Sequence, residues 1–341
     1  MPKTIPVQQA VGTVLCHDIT RIVPGQSKGP AFRKGHVIRE ADVPLLLEIG
    51  KEHVFVLEMP ADQVHENEAA QRLAAAAAGP GIRLTDPAEG RVNLVACQDG
   101  LLQVNVAALD ALNTIEDVVF GTLHTRIPVK ADQPVAGTRV VPLIFPEARL
   151  LEAEHLCRRH GPLVAIHPYK AWQVGMITTG SEVYHGRIQD AFGPVVRRKF
   201  EELGSRITRQ ILVSDSVVKT VAAIGQLIAE GAQMVVLTGG MSVDPDDQTP
   251  ASIRASGAEV VTYGAPVFPG AMFMLAYLGE VPVLGLPGCV MYYQASIFDL
   301  IVPRILTGER LARRDIVALG HGGFCAACAA CRYPLCGFGK N

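Results

Sequence analysis

Apolar positions change their rhythm about halfway along this chain. In residues 7–58, short β-rich runs alternate with Gly and Pro. Val43, Leu46, Leu47 and Ile49 suit a short helix, Gly50 suits its C-terminal stop, and residues 54–57 read as a strand. Residues 66–78 are Ala-rich, which favours a helix because alanine loses least on entering one, and Gly79-Pro80-Gly81 closes it. Residues 92–96 and 101–106 flank Gln98-Asp99-Gly100, which predicts a hairpin, and residues 107–112 read as a helical segment. Nothing in this middle region proposes chemistry.

After about Pro168 the pattern becomes strand then helix, repeated. Residues 173–178 (QVGMIT) predict a strand ending in Thr179-Gly180, after which Val196, Phe200 and Leu203 recur at helical spacing until Gly204. Residues 206–213 predict a second strand, and Val217, Val221, Ile224 and Ile228 mark one helical face stopped by Gly231. A third strand at 234–237 is broken by Gly239-Gly240, with a helix expected at 250–255. Residues 281–286 form a fourth, and 290–306 read as a last long helical stretch that Pro303 kinks or ends. Strands spaced by helices imply right-handed βαβ crossovers, hence a three-layer α/β domain with a mainly parallel sheet. Ligands of such sheets sit at the carboxyl ends of the strands.

Length and composition narrow the picture without changing it. A chain of 341 residues predicts two or three folded units, and 49% hydrophobic against 19% charged residues excludes a disordered polymer. The formal charge of -2 gives no overall bias toward nucleic acid or anionic membranes. The N-terminal text lacks the continuous apolar core of a secretory signal, and the apolar runs elsewhere fall short of the ~20 residues that a spanning helix needs. A cytoplasmic protein is therefore expected. Cys16, Cys97, Cys157 and Cys289 are scattered and read as reduced structural thiols.

Three loops fall at predicted strand ends: Thr178-Thr179-Gly180-Ser181-Glu182, the run from Leu237 to Pro250 (LTGGMSVDPDDQTP), and Gly285-Leu286-Pro287-Gly288. Glycines there let the backbone approach a ligand, the helix start after each loop offers free N–H groups, and Thr and Ser add hydroxyls. Carboxylates in such a place repel phosphate unless they hold Mg²⁺ or accept hydrogen bonds from a base or pterin, which singles out Glu182 and Asp247. Each loop alone reads most simply as a turn, and residues 244–249 equally suit a solvated turn capping the next helix.

As an ordered set, TTGSE, LTGGMSVDPDDQTP and GLPG resemble the motifs of the molybdopterin-binding domain shared by molybdopterin adenylyltransferases and molybdenum insertases. Gly239, Gly240, Asp247, Thr249 and Pro250 match the adenylyltransferase pattern. Gly239 to Val243 with Asp247 approach that of the insertases, as do Gly180, Ser181, Glu182, Gly186, Ile188 and Asp190. The likeness covers residues 173–306. A weaker one, in AVGTVLCHDIT and the run from Ala31 to Leu57, favours the insertase-like branch.

The chain then reads as four stretches: an insertase-like N-terminal segment (1–60) and the molybdopterin-binding domain (168–310), which the resemblance implies, with an α+β or β-rich region of unknown role (61–167) between them and a Cys-rich tail (311–341), neither of which it covers. The resemblance also implies a transferase of molybdenum-cofactor biosynthesis acting on adenylated molybdopterin with Mg²⁺ and molybdate, in a homo-oligomer. Glu182, Asp190, Asp244 and Asp247 are the candidate acids, with Glu182 near Mg²⁺. Thr179, Gly180, Ser181, Thr238, Gly239, Gly240, Ser242, Thr249, Gly285, Leu286, Pro287 and Gly288 are the candidate ligand contacts. A non-catalytic sensor or carrier and an adenylyltransferase are the alternatives.

Departures bear on turnover. The insertases' Pro-Gly-Lys is Pro269-Gly270-Ala271 here, their Gly-Leu-Pro-Gly-Asn-Pro becomes Gly285-Leu286-Pro287-Gly288-Cys289-Val290, and Asp190 precedes Ala191-Phe192 rather than Ser-Asn. Cys325, Cys328, Cys331 and Cys336, spaced C-x2-C-x2-C-x4-C, suit Zn²⁺ or an iron–sulfur cluster, or else form a reduced, mobile tail.

Overall fold

The computed structural model describes residues 3–13, 15–23, 27–56, 60 and 62–340. The chain divides into two compact units. One comprises Met1–Cys97, Gln103–Leu123 and Ala131–Ile166, the other Gln98–Leu102, His124–Lys130 and His167–Asn341.

In the first unit a four-stranded antiparallel sheet runs in the order Ile82–Leu84, Arg91–Ala96, Pro134–Val140, Val118–Thr122. The predicted Ala-rich helix spans Glu66–Ala77 and buries Leu73 together with Ala69, Ala70, Ala74 and Ala77, whose small side chains let it lie close to the sheet. Arg72 on this helix binds Glu147 and Glu154 of the helix Glu147–His160 at 2.9–3.0 Å. Nearer the N-terminus, Val7, Leu15, Ile19, Phe32, Ile38, Leu46 and Val54 share a small core. The short helix is Val43–Glu48, followed by Gly50 at φ 78°, and the next strand is His53–Val56; Leu57 lies outside the described residues.

The expected hairpin at 98–100 is not formed. Its two strands, Arg91–Ala96 and Gly100–Val104, enter different sheets. Asp-Gly sets only a local reversal, and the partners each strand finds elsewhere decide the pairing.

The second unit holds a six-stranded sheet. In chain order its strands are β1 (Gln173–Thr179), β2 (Arg206–Val213), β3 (Met234–Thr238), β4 (Glu259–Tyr263), β5 (Met274–Leu278) and β6 (Val281–Leu286). The order across the sheet is β2-β1-β3-β6-β5-β4; the first four are mutually parallel, β5 runs antiparallel to β6, and β4, antiparallel to β5, points the same way as the first four. Central β3 is buried at every residue, as a parallel strand covered on both faces must be, while β2 and β4 at the edges carry exposed polar positions.

The two-residue side-chain period divides the core in two. Val174, Met176, Met234, Val236, Leu284 and Leu286 face one cluster with α2 (Phe192–Glu202) and α6 (Ile297–Leu306). Ile177, Val235, Leu237 and Val283 face the other with α3 (Val217–Ala229) and α4 (Thr249–Ala255). The result is the three-layer, mainly parallel α/β arrangement expected from the strand-helix alternation. No helix among the described residues is long and apolar enough to cross a membrane.

Two local expectations are corrected. Strands β4 and β5 add an antiparallel edge, and residues 290–306 are not one helix: a short α5 (Cys289–Tyr292) ends before α6 begins. The restart is set by Ser296, whose hydroxyl accepts from Phe298 N while Asp299 accepts from Ser296 N. Pro303 lies inside α6 without breaking it. The Asp299 carbonyl that an N–H at 303 would have engaged instead accepts the Tyr333 hydroxyl at 2.8 Å.

Candidate functional site

Strands β1 and β3 end side by side, and their threonines tie the first two loops together. Thr238 Oγ1 donates to Thr178 Oγ1 at 3.1 Å, Thr249 Oγ1 donates to Gly239 O at 2.8 Å, and Thr179 Oγ1 lies 3.3 Å from Thr249 Oγ1. Gly239 sits at φ 84°, where a Cβ would stand 2.2 Å from the Thr179 carbonyl oxygen. Only glycine permits that close passage. The following loop turns back on itself through Asp247 N to Asp244 O at 2.9 Å and Asp244 N to Asp247 Oδ2 at 3.3 Å. Tyr263 of β4 supports it by donating its hydroxyl to Met241 O.

A cleft of about 520 Å³ opens at these strand ends. Gly239, Gly240, Met241, Ser242, Asp244 and Asp247 form one wall, Leu286, Pro287, Gly288 and Cys289 another, and Phe192, Phe268, Gly270, Ala271 and Met272 complete it. Among the described residues, two carboxylates and no cationic side chain belong to the lining. Asp244 is exposed and Asp247 half-buried, so both meet solvent when nothing covers them.

The sequence-predicted residues therefore separate by role. Gly239, Gly240, Ser242, Asp244, Asp247, Leu286, Pro287 and Gly288 line the cleft. Thr179, Thr238 and Thr249 are buried behind it and hold its wall. Gly285 is also buried, packed so closely on Met241 that an added Cβ would lie 2.5 Å from the sulfur.

Gly180, Ser181 and Glu182 adjoin the cleft through Thr179 without lining it. Ser181 N is taken by Asp215 at 2.9 Å, and the exposed Glu182 folds its carboxylate over Gly180. Asp190 accepts from Phe192 N, Gly193 N and Gln210 Nε2, which fixes it at the start of α2. Cys325, Cys328, Cys331 and Cys336 border a second cavity, separate from the strand ends. Among the described residues no group of three or more His, Cys, Asp or Glu is arranged to hold a metal ion.

Sequence reasoning missed Phe192, Phe268, Met272 and the buttress residues Gln210 and Asp215. Phe268 and Met272 flank Pro269-Gly270-Ala271, so that motif was their available signal; Gln210 and Asp215 carry none.

Comparison with known proteins follows the same division. Residues 4–58 match the model of a domain of unknown function, and residues 175–307 match that of a probable molybdopterin binding domain. A CinA-like protein of Mycobacterium sp. (strain JLS) is 34% identical over 90 residues, covering 26% of this chain and 21% of the relative. A CinA-like protein of Mycobacterium avium (strain 104) is 32% identical over 90 residues, with the same coverage. The chain thus spans about a fifth of the length of these curated relatives. Among solved structures, the tungsten cofactor synthesizing protein MoaB from Pyrococcus furiosus is 22% identical with a TM-score of 0.34, covering 42% of this chain and 98% of that one. On the family match, residues 175–307 of this chain belong to the domain family described as a probable molybdopterin binding domain.

Proposed function

We propose that the strand-end cleft binds a molybdopterin-type ligand and that the chain serves molybdenum-cofactor biosynthesis as an insertase-like enzyme, acting on adenylated molybdopterin with molybdate. The observation that carries this reading is the cleft lining: glycines at 239, 240 and 288, the Ser242 hydroxyl, and the paired carboxylates Asp244 and Asp247. Exposed backbone at such glycines can donate to an anionic or heterocyclic ligand.

The absence of a cationic side chain from that lining bears on how a pyrophosphate would be held. Magnesium suits the donor set, since it is commonly bound by one or two carboxylates together with substrate phosphates. When bound, it would neutralise charge developing at the anhydride. In this reading Asp244 holds the ion and Asp247 accepts from pterin N–H groups. Glu182 and Asp190, outside the lining, act through the position of the Gly180 loop and of α2.

A second reading, a binding module without turnover, is favoured by one particular: Ala271 and Cys289 line the cleft at the places where the insertase pattern has Lys and Asn. Adenylyl transfer rests on Asp247-Gln248-Thr249-Pro250 alone. Incubating the full chain with molybdopterin and Mg-ATP, or with adenylated molybdopterin, Mg²⁺ and molybdate, distinguishes them. AMP released from the adenylate supports the insertase reading, and pyrophosphate released from ATP supports adenylyl transfer. Neither product, with ligand retained, supports the binding module; no retention overturns all three.

A further inference from the structure

Residues 322–340 form a closed loop, and that loop carries four thiols. Its ends are joined by Gly339 N donating to Gly322 O at 2.9 Å, and Gly322, at φ 82°, leaves no room for a Cβ beside Lys340 O. The loop is fastened to the α/β unit at both sides. Phe268 N donates to Gly323 O and Cys325 N to Phe268 O, each at 2.8 Å, while Tyr333 donates its hydroxyl to the Asp299 carbonyl left free by Pro303. Phe338 is buried in the same core.

Between these anchors Cys325, Cys328, Cys331 and Cys336 all border one cavity of about 670 Å³. Cys325 and Cys336 are half-buried against the core, whereas Cys328 and Cys331 stand exposed on the loop. The spacers Ala326, Ala327, Ala329 and Ala330 offer no bulk between thiols. Among the described residues no Asp, Glu or His belongs to the lining, and Arg332 supplies its positive charge.

We propose that this loop is a tetrathiolate metal centre, assembled when Cys328 and Cys331 close onto the anchored Cys325 and Cys336. Thiolates unaccompanied by carboxylate or imidazole donors select thiophilic metals over magnesium or manganese. A zinc ion and an iron–sulfur cluster use this same donor set. The thiols are not at ligand geometry beforehand, and metal binding supplies the ordering of the exposed half, as is general for sites that form on loading. Four thiols give up their protons to the solvent on binding; with Zn²⁺, or with a cluster built from mixed ferrous and ferric iron and sulfide, no electron need be transferred. The centre does not depend on what the strand-end cleft holds.

The test uses the full chain, purified anaerobically from zinc- and iron-supplemented cells and, separately, reconstituted with Zn²⁺ or with a mixture of Fe²⁺, Fe³⁺ and sulfide. Zinc without sulfide identifies the ion, and iron with an equal amount of acid-labile sulfide and a broad visible absorption identifies the cluster; either supports the proposal. Cys328→Ser and Cys331→Ser should each lower retained metal at least about tenfold. If those variants do not fold, alkylation of the wild-type chain decides, with all four thiols protected by metal and exposed again by chelator. Wild-type protein that takes up neither metal, or loaded protein whose four thiols alkylate as fast as in the apo chain, overturns the proposal.

Discussion

Replacing Gly239 with alanine would place a methyl carbon 2.2 Å from the Thr179 carbonyl oxygen and 2.9 Å from the Thr179 hydroxyl. The first neighbour is backbone in the buried strand β1 and cannot swing aside. Left-handed backbone adds about 1–2 kcal/mol for a residue with a Cβ, and overpacking a tight site adds about 1–3 kcal/mol, so a loss of about 2–5 kcal/mol is expected. Gly285→Ala meets the Met241 sulfur at 2.5 Å, a flexible side chain, and should lose less while displacing Met241 toward the cleft. Gly225→Ala is the control. It lies exposed in α3 with nothing within 4 Å of the added carbon, and alanine there should stabilise the helix by about 0.5–1 kcal/mol. Urea unfolding followed by the fluorescence of the single tryptophan, Trp172, which packs on the core of this unit, measures all three. A Gly239→Ala midpoint equal to wild type would refute the close passage of the second loop over β1.

Asp247→Asn preserves an acceptor for Asp244 N, so melting should move little, while molybdopterin affinity should fall about 10- to 150-fold, the equivalent of a charge-assisted bond of ~1.5–3 kcal/mol. Calorimetry beside thermal unfolding checks it, and unchanged affinity returns Asp247 to a turn residue. Lys199→Met removes the ammonium that donates to both Asp299 oxygens at 2.8 and 3.0 Å, leaving a buried carboxylate uncompensated at a cost of about 3–5 kcal/mol. A loss below 1 kcal/mol by urea titration would show the pair to be dispensable. His17 and His65 are both held below the ordinary histidine value of 6.5, chiefly by burial. Because the unfolded chain takes up their protons first, their contribution is complete above pH 6.5 and is lost as pH falls through the lower folded values. The thermal midpoint of wild type should therefore drop on acidification more than that of a His17→Gln, His65→Asn double variant; parallel curves would contradict this.

Much of the α/β unit was legible because buried parallel strands are written as short apolar runs and their ends as glycines. Strands β4 and β5 were not, since no helix separates β4 from β5 or β5 from β6 and the strand-helix alternation that marked the others is lost there. The break before α6 was hidden because Val290, Ile297 and Ile301 remain apolar across it, and only Ser296 with Asp299 marks the restart. At the site, the wall from Gly239 to Asp247 and that from Leu286 to Gly288 follow from position at strand ends. Phe268 and Met272 reach the cleft by the return of a distant loop, whose local signal is only the Pro269-Gly270-Ala271 that they flank. Glu182 and Asp190 match a motif yet lie outside the lining, Asp190 having its acceptors taken by α2 and Gln210.

The central proposal, that the strand-end cleft of this unit holds a molybdopterin-type ligand, is tested most directly by hydrogen–deuterium exchange of the full chain with and without molybdopterin under anaerobic conditions. Protection should appear at residues 239–248 and 286–289, the two walls of the cleft, and should weaken in Asp247→Asn. No protection at saturating ligand, or protection confined to residues outside the cleft, would contradict it.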